Sequence, residues 1–480
     1  MKRMIIYGPP GTGKTTKLID LMEQYVVDSK DPHRICFTSF TKKSVNEAIE
    51  RMDKKYSLIK RELRFFRTIH SLALGLSGLQ SRDLVQFQHK KELANILGLD
   101  LTYKKIDEDG TLGNHKDGDK MFHLSEYYRS KKISLRSAWE ENDRPVDLRE
   151  LIRFEKTYIK YKANNYLVDF TDILYQFLKE PLLTTFDVLF VDEAQDLSPI
   201  QWSVIYKIEK NSTVSYIAGD DDQCIYNWNG SDVNIFINLD GNKVTLNNSY
   251  RLNKNIHEFA NKIISQVSTR VNKNYSSRNT YGIIKEITCL EDLELNKDKW
   301  LLLARNTYLL RQYENHCLDN GLLYSSPNSP TRWLEFKALV NWERFRKGEG
   351  LTQKEIDIIN AFTTYKDICK KDWTNKNKPT WMEILNLISE QKIEYFRACR
   401  RNGEKLFSIP RIKINTIHGV KGSEEDNVCI ISDMANTSWQ AMQENPDAEN
   451  RVFYTAVTRA KENLYILNPS TPKYFEFPIV

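Results

Sequence analysis

The glycine-rich stretch Gly8-Pro-Pro-Gly-Thr-Gly-Lys-Thr15 decides the fold of the chain. The apolar run Met4–Tyr7 before it is typical of a buried strand, and the pattern over residues 14–25 after it predicts a helix. In this context the glycines let backbone N–H groups face phosphate oxygens, and the helix N-terminus adds its dipole. The stretch therefore predicts an α/β fold with a P-loop phosphate site.

Each residue type of the P-loop suits a bound nucleoside triphosphate. Lys14 is expected to reach the β- and γ-phosphates, and the Thr15 hydroxyl is expected to bind Mg²⁺. A glycine-rich turn without a ligand would not require the complete pattern between a strand and a helix. The residues expected to contact the nucleotide here are Gly8, Pro9, Gly11, Thr12, Gly13, Lys14, Thr15 and Thr16.

A second apolar run, Val188–Val191, ends in the acidic pair Asp192 and Glu193. Ligands bind at the carboxyl edge of the sheet in doubly wound folds, which is where this pair would lie. Asp192 is expected to hold Mg²⁺, and Glu193 to orient and deprotonate the attacking water. Acidic pairs at strand ends are usually solvated loop starts, but the P-loop favours catalysis. A nucleotide kinase, a transport ATPase and a helicase all fit these two sites.

The bulk composition bounds the architecture and the location of the protein. A chain of 480 residues exceeds one compact core, so two or more domains are expected. The net charge of +6 suits binding to a polyanion, although many enzymes share such a charge. The 7 scattered cysteines indicate reduced thiols. With no signal region and no apolar run of membrane-spanning length, we expect a cytoplasmic protein without membrane contact.

The alternation of strands and helices appears twice along the chain and predicts two α/β units with parallel sheets. Two charged segments, about 84–162 and about 331–404, interrupt it and are interpreted as mostly helical insertions. The further strands are predicted at residues 35–38, 215–218, 300–303, 411–415, 428–431 and 464–467.

Several more motifs follow in a fixed order. They are Phe37-Thr-Ser-Phe-Thr-Lys-Lys43, Gly219-Asp-Asp-Asp-Gln-Cys-Ile-Tyr-Asn-Trp-Asn-Gly230, Leu246-Asn-Asn-Ser-Tyr-Arg251, Ile414-Asn-Thr-Ile-His-Gly-Val-Lys-Gly-Ser-Glu424 and Phe453-Tyr-Thr-Ala-Val-Thr-Arg-Ala-Lys461. With the P-loop and the Asp192 motif, this ordered set resembles the UvrD/Rep/PcrA helicases of superfamily 1A. The resemblance covers most of the chain outside the two insertions.

The resemblance implies two RecA-like P-loop domains with ATP bound in the cleft between them. Domain 1A would comprise residues 1–84 and 163–245, with insertion 1B at 85–162. Domain 2A would comprise residues 246–330 and 405–480, with a reduced helical insertion 2B at 331–404.

The resemblance also implies roles around the nucleotide. Gln223 would sense the γ-phosphate, and Arg251 and Arg459 would act as arginine fingers from the second domain. Tyr250 would stack on the adenine, and Glu424 would meet the ribose or neighbouring groups. The implied catalytic set is therefore Lys14, Glu193, Gln223, Arg251 and Arg459.

A single-strand channel is implied as well. Trp228, Tyr226 and Phe40 would stack on bases, which allows a protein to follow any sequence. Aromatic residues in α/β proteins are more often part of the hydrophobic core, so a purely structural role stays an alternative for Phe40. The positions that would contact the strand backbone are Thr68, His70, Thr416 and His418.

The resulting hypothesis is a DNA-dependent ATP hydrolase, a monomeric 3′-to-5′ helicase that uses ATP and Mg²⁺ and acts on single-stranded DNA and its junctions with duplex. The small second insertion favours, as an alternative, a translocase that displaces or loads proteins with little unwinding. A catalytically inactive binding module would not need the full catalytic set, and a nucleotide kinase would lack the second α/β unit. DNA repair, replication, recombination, viral replication and defence all remain open as pathways.

Overall fold

The computed structural model describes residues 2–29, 31–102, 112, 115–365, 368–370 and 378–479. The chain forms two compact units. The first comprises Met1–Tyr281 and Asn436–Thr458, and the second comprises Gly282–Ala435 and Arg459–Val480. Residues 246–281 and 436–458 thus belong to the first unit, whereas the resemblance assigns them to domain 2A. The boundaries of the RecA-like domains stay a prediction.

The described strands, in chain order, form two sheets. They are β1 (Lys2–Tyr7), β2 (Ile35–Ser39), β3 (Phe66–Thr68), β4 (Phe186–Asp192), β5 (Ser212–Gly219), β6 (Asn242–Thr245), β7 (Ile283–Ile287), β8 (Trp300–Ala304), β9 (Tyr324–Ser325), β10 (Ile412–Thr416), β11 (Glu425–Ile431) and β12 (Ala460–Leu467). The first sheet has the order β3-β2-β4-β5-β1-β6, and the second has the order β7-β12-β11-β8-β10-β9. Every neighbouring pair in both sheets is parallel.

The α-helices lie between these strands and in the insertions. They are α1 (Lys14–Ser29), α2 (Lys42–Tyr56), α3 (Ile69–Leu76), α4 (Phe87–Leu97), α5 (Asp117–Lys131), α6 (Leu135–Glu141), α7 (Leu148–Asn164), α8 (Phe170–Lys179), α9 (Pro199–Lys210), α10 (Val233–Ile237), α11 (Lys254–Ile264), α12 (Leu310–Asp319), α13 (Leu334–Arg346), α14 (Gln353–Asn360), α15 (Trp381–Ile384), α16 (Glu390–Arg401), α17 (Asn436–Glu444) and α18 (Pro446–Val457). Within the described residues, no helix combines the length and apolar character that a membrane crossing requires.

The central strand β4 of the first sheet is buried on both faces. Along β4, Leu189 and Val191 pack into one hydrophobic cluster, whereas Val188 and Phe190 pack into the other. Side chains alternate between the faces of a strand, so a strand covered on both sides must be apolar at every position. This requirement explains the continuous apolar run before Asp192.

The second sheet has its own core, and β8 is buried along its whole length. The described residues of each insertion are mostly helical and surround a separate hydrophobic cluster. Phe154 lies in the cluster of the first insertion, and Trp342 and Phe396 lie in that of the second. Two parallel sheets flanked by helices, with mostly helical insertions, confirm the fold class predicted from the sequence.

Candidate nucleotide and nucleic-acid site

The P-loop connects the end of β1 to the start of α1 and is held close to β5. The Gly8 N–H donates to the Gly219 carbonyl at 3.0 Å. A Cβ on Gly8 would lie 1.8 Å from Cγ of Lys14, so a side chain there would displace the lysine. Gly11 and Gly13 have φ of +72° and +79°, a region that favours glycine. The glycines therefore allow the loop to turn beneath Lys14.

Asp192 lies at the end of β4 and is fully buried. Its Oδ2 accepts hydrogen bonds from Thr15 Oγ1 at 2.9 Å and from Ser44 Oγ at 2.5 Å. Burial and the neighbouring Glu193 carboxylate raise the pKa of Asp192 to about 6, against the effect of these hydrogen bonds and of Lys14. The hydroxyl of Thr15 and the carboxylate of Asp192 are hard oxygen donors of the kind that Mg²⁺ prefers, so the predicted metal residues fit this ion.

Ser44 and Gln195 belong to the site although sequence reasoning assigned them no role. Ser44 follows the Phe37–Lys43 motif by one residue and lies in the first turn of α2, whose N-cap is Thr41. Gln195 is part of the Asp192 motif, and both residues contact groups that the sequence did assign. The feature of the sequence that could have identified them is their position next to or within recognised motifs.

Gln195 connects the ends of β4 and β5. Its Nε2 donates to Glu193 Oε2 at 2.6 Å, and its Oε1 accepts from the Asp220 N–H at 3.0 Å. Gln223 Nε2 in turn donates to Asp220 Oδ2 at 2.6 Å. Glu193 itself adopts φ of +54°, which is uncommon for a residue with a side chain. A continuous chain of hydrogen bonds thus joins the predicted base, Glu193, to the predicted γ-phosphate sensor, Gln223.

Three consecutive buried aspartates, Asp220 to Asp222, share one buried lysine, Lys273. Its Nζ lies 3.0 Å from Asp220 Oδ1, 2.5 Å from Asp221 Oδ1 and 2.8 Å from Asp222 Oδ2. Burial disfavours the charged amine, but the three carboxylates outweigh it and raise the pKa of Lys273. Arg270 adds a bidentate pair to Asp222, with Nε at 2.8 Å and Nη2 at 2.6 Å from its oxygens. This network fixes the segment that carries Gln223.

The motif that ends at Arg251 packs against the P-loop within the first unit. Ser249 Oγ donates to the Pro10 carbonyl at 2.8 Å, and the Tyr250 N–H donates to the Gly11 carbonyl at 2.8 Å. A Cβ on Gly11 would lie 2.3 Å from Cβ of Arg251, which gives a second reason for glycine there. The Tyr250 ring is 75% exposed, so its face is accessible for stacking.

Arg459 and Glu424 belong to the second unit. Arg459 directly precedes β12 and Glu424 directly precedes β11, and these strands pair side by side, so both residues lie at the amino edge of that sheet. Arg459 is buried and its Nη1 donates to the Ser423 carbonyl at 3.4 Å. Glu424 pairs with Lys461 at 3.1 Å. The roles of Arg459 and Glu424 stay predictions.

The predicted stacking residues of the first unit form one aromatic cluster. The ring centroids of Phe40 and Tyr226 are 5.4 Å apart, and those of Tyr226 and Trp228 are 6.4 Å apart. All three side chains are partly exposed. Phe40 directly follows β2, and Tyr226 lies shortly after β5. Because the two strands are parallel members of one sheet, both residues lie at its carboxyl edge.

The predicted backbone-contacting residues fall into two groups. Thr68 ends β3, and nearby His70 packs its ring 5.8 Å from that of Phe170, where burial lowers its pKa to about 4 and keeps it neutral at physiological pH. In the second unit, Thr416 ends β10 and His418 follows shortly after it, and both are buried. Thr416 Oγ1 accepts from the Gly419 N–H at 3.1 Å, so it stabilises its own turn.

Comparison with known families agrees with this arrangement. Residues 1–243 match the UvrD/REP helicase N-terminal domain, and residues 335–470 match the UvrD-like helicase C-terminal domain. The chain belongs to the UvrD/REP helicase family. The resemblance inferred from the ordered motifs is thereby confirmed.

Relatives of this UvrD-family chain carry helicase names. A probable DNA helicase II homolog of Mycoplasma genitalium is 27% identical over 79% of the chain and 59% of the relative. The ATP-dependent DNA helicase PcrA of Staphylococcus aureus is 24% identical over 58% of the chain and 40% of the relative. The ATP-dependent DNA helicase Rep of Buchnera aphidicola is 22% identical over 85% of the chain and 68% of the relative. The chain thus spans about half the length of the first two relatives.

Proposed function

We propose that the protein is an ATP-dependent single-stranded DNA translocase and helicase that moves 3′ to 5′. The observation that carries the proposal is that one sheet edge holds both the triphosphate residues and the aromatic cluster. Ser39 at the end of β2 is paired in register with Asp192 at the end of β4, and Phe40 is the next residue after Ser39. The proposed stacking residue Phe40 therefore directly follows a strand adjacent to the one that ends at the proposed catalytic acids.

The proposed chemistry begins with the P-loop. Its N–H groups and Lys14 bind the β- and γ-phosphates of ATP, while Tyr250 stacks on the adenine. Thr15 and Asp192 would hold Mg²⁺, which neutralises phosphate charge when bound. Glu193 accepts the proton of the attacking water on its carboxylate. Gln195 restrains this carboxylate through its bond to Oε2, so Glu193 is oriented before ATP arrives.

Arginine side chains complete the proposed transition-state stabilisation. Arg251 lies against the P-loop within the first unit, as its contact with Gly11 indicates. Arg459 would reach the same phosphates from the second RecA-like domain when the cleft between the domains closes. Glu424, next to Arg459 in the sheet edge, would meet the ribose side of the nucleotide.

Coupling to DNA is proposed to run through the Asp220 segment. Gln223 would change its contacts when the γ-phosphate leaves, and the stacking residues Tyr226 and Trp228 follow three and five residues later. Lys273 and Arg270 restrain the aspartates of this segment through ion pairs. A displacement of Gln223 would therefore move the whole segment, including the residues of the aromatic cluster. Each cycle would thereby change the grip on the strand.

The proposed substrates are single-stranded DNA and its junctions with duplex, since the relatives are named as DNA helicases. We propose that the protein acts as a monomer in the cytoplasm, in DNA repair or replication. A translocase with little unwinding is the second candidate, and the small size of the second insertion, residues 331–404, favours it. A strand-displacement assay run beside a translocation assay separates the two.

The deciding experiment measures ATP hydrolysis with and without single-stranded DNA. We expect strong stimulation by DNA in the native protein, and loss of turnover in Lys14→Ala. Translocation on single strands of defined polarity then tests the direction. Substantial hydrolysis that single-stranded DNA leaves unchanged would overturn the proposal.

A further inference from the structure

A hollow of about 450 Å³ opens on the first unit beside the aromatic cluster. It lies between α2 and the segment that leads into β3, and its described lining includes no carboxylate. Buried apolar side chains, among them Val45, Leu63 and Phe66, contribute to its wall. Four cations share the hollow: Lys42, Lys60, Arg64 and Arg67.

These four cations differ from their neighbours in how their charge is compensated. Further along α2, Arg51 lies 4.0 Å from Asp20, and Lys55 pairs with Glu23 at 2.5 Å. Among the described residues, no carboxylate lies within ion-pair distance of the four cations of the hollow. A bound anion would supply the negative charge that no neighbouring carboxylate provides.

The position of the hollow indicates which anion enters it. Thr68, a predicted strand-contacting residue, is itself part of the lining, and Lys42 is two residues from Phe40. Ser39 at the end of β2 is paired in register with Thr68 at the end of β3, so the stacking side chain and the hollow are adjacent at the same sheet edge. A strand stacked on Phe40 would carry its backbone phosphates toward this basic hollow.

We propose that this hollow binds backbone phosphates of the single strand and extends the strand path beyond the aromatic cluster. The cations act as positioning and affinity residues, because phosphate contacts fix register without reading sequence. Val45 and Phe66 give the hollow a fixed wall, while Lys60 and Arg64 are exposed and can follow the phosphates. This inference rests on the proposed function, since it requires a bound strand.

The test compares Lys60→Gln/Arg64→Gln with the native protein, using fluorescence anisotropy of a labelled oligothymidylate over a salt series. Both side chains are exposed, so the fold should be retained, and circular dichroism and the melting temperature check this. Loss of two phosphate contacts should reduce the slope of log affinity against log salt by about 1.4 for a single strand. The charge-retaining variant Lys60→Arg/Arg64→Lys should keep the native slope.

Lys179→Gln/Lys210→Gln is the matched control. These two exposed lysines end α8 and α9, and neither contributes to the lining of the hollow. The control should leave the slope within about 0.3 of native, because no strand phosphate is expected there.

The outcomes separate this inference from the proposed function. A native protein that fails to bind the oligothymidylate would defeat the proposed function itself. If the native protein binds and Lys60→Gln/Arg64→Gln shows the same slope of log affinity against log salt, the assignment of the hollow as a phosphate site is wrong, while the proposed function is unaffected. A slope change confined to duplex DNA, or an equal change in the control, would also overturn the assignment to the single strand.

Discussion

The two sheets of the chain share one architecture but differ in the charges that they present. At the carboxyl edge of the first sheet lie the P-loop and five acidic residues, Asp192, Glu193 and Asp220 to Asp222. The described part of the second sheet contributes an arginine, Arg459, and the Glu424–Lys461 pair at its amino edge. The groups of the first sheet are therefore suited to hold a metal and accept a proton, whereas the second sheet is proposed to supply positive charge through Arg459.

This difference shows that a parallel sheet provides the place where functional groups can gather, while the residues of short adjoining segments determine which chemistry is possible there. In the first sheet the chemistry depends on groups that are buried and mutually bonded, such as Asp192 with Thr15 and Ser44. In the second, Arg459 is buried as well, and its Nη1 donates to the Ser423 carbonyl at the longer distance of 3.4 Å. We therefore expect substitutions in the first sheet to have larger effects than those in the second.

The largest effect is expected for Glu193→Gln. Loss of the proton acceptor should lower kcat of DNA-stimulated ATP hydrolysis by about 10²–10⁴-fold while nucleotide binding is retained. Steady-state hydrolysis and nucleotide-binding assays measure the two quantities. Asp426→Asn, an exposed acid on β11 of the second sheet, is the control and should stay within about twofold of native. Equal losses in both variants would erase the contrast between the sheets.

The second largest effect is expected on the free energy of unfolding, when Lys273 of the first unit is replaced. Lys273→Met leaves three buried carboxylates without their cation and should lower the free energy of unfolding by about 3–5 kcal/mol. Urea unfolding followed by circular dichroism measures it. Lys297→Met removes an exposed pair with Glu294 in the second unit and should cost about 0–1 kcal/mol. A Lys273→Met protein as stable as native would show that the network does not hold the Asp220 segment.

Motifs of adjacent residues predicted much of the candidate site, whereas the residues that the sequence did not reveal reach the site through contacts between distant parts of the chain. The P-loop and Asp192 are each defined by a few adjacent residues, since a strand end and a glycine turn are local features. Ser44 reaches Asp192 across 148 residues of sequence, and Lys273 reaches Asp221 across 52. Such pairings depend on strand order. In the sequence Lys273 lies between two asparagines and resembles a solvated loop residue.

The fold class was predictable for the same reason. Continuous apolar runs, such as Val188–Val191, are required by strands covered on both faces, and they mark the central strands reliably. Short edge strands such as β3 and β9 carry too few residues for a pattern, and the sequence predicted neither. The contact-based division near residue 281 differs from the boundary at residue 246 that the resemblance implies, because the Arg251 motif packs on the P-loop through Ser249 Oγ and the Tyr250 N–H. The boundaries of the RecA-like domains stay a prediction.

A smaller effect on hydrolysis is expected in the second unit. Arg459→Ala should lower kcat of DNA-stimulated hydrolysis by about 10²–10³-fold, since one donor to the transition state is lost. Arg459→Lys, which keeps the charge but not the fork of donors, should recover part of this loss. Steady-state hydrolysis at saturating DNA gives both values. A native rate in Arg459→Ala would confine catalysis to the first sheet and sharpen the contrast.

The smallest effect is expected at the aromatic cluster. Trp228→Ala removes one stacking face and should weaken single-stranded DNA binding by about 1–3 kcal/mol, roughly 5–150-fold. Trp228→Phe retains a ring and should lose less, so the pair of variants distinguishes stacking from packing. Fluorescence anisotropy with oligothymidylate measures both affinities. If Trp228→Ala instead lowers the melting temperature and leaves affinity at the native value, the ring belongs to the core of the first unit, and the path of the strand along this sheet edge must be sought elsewhere.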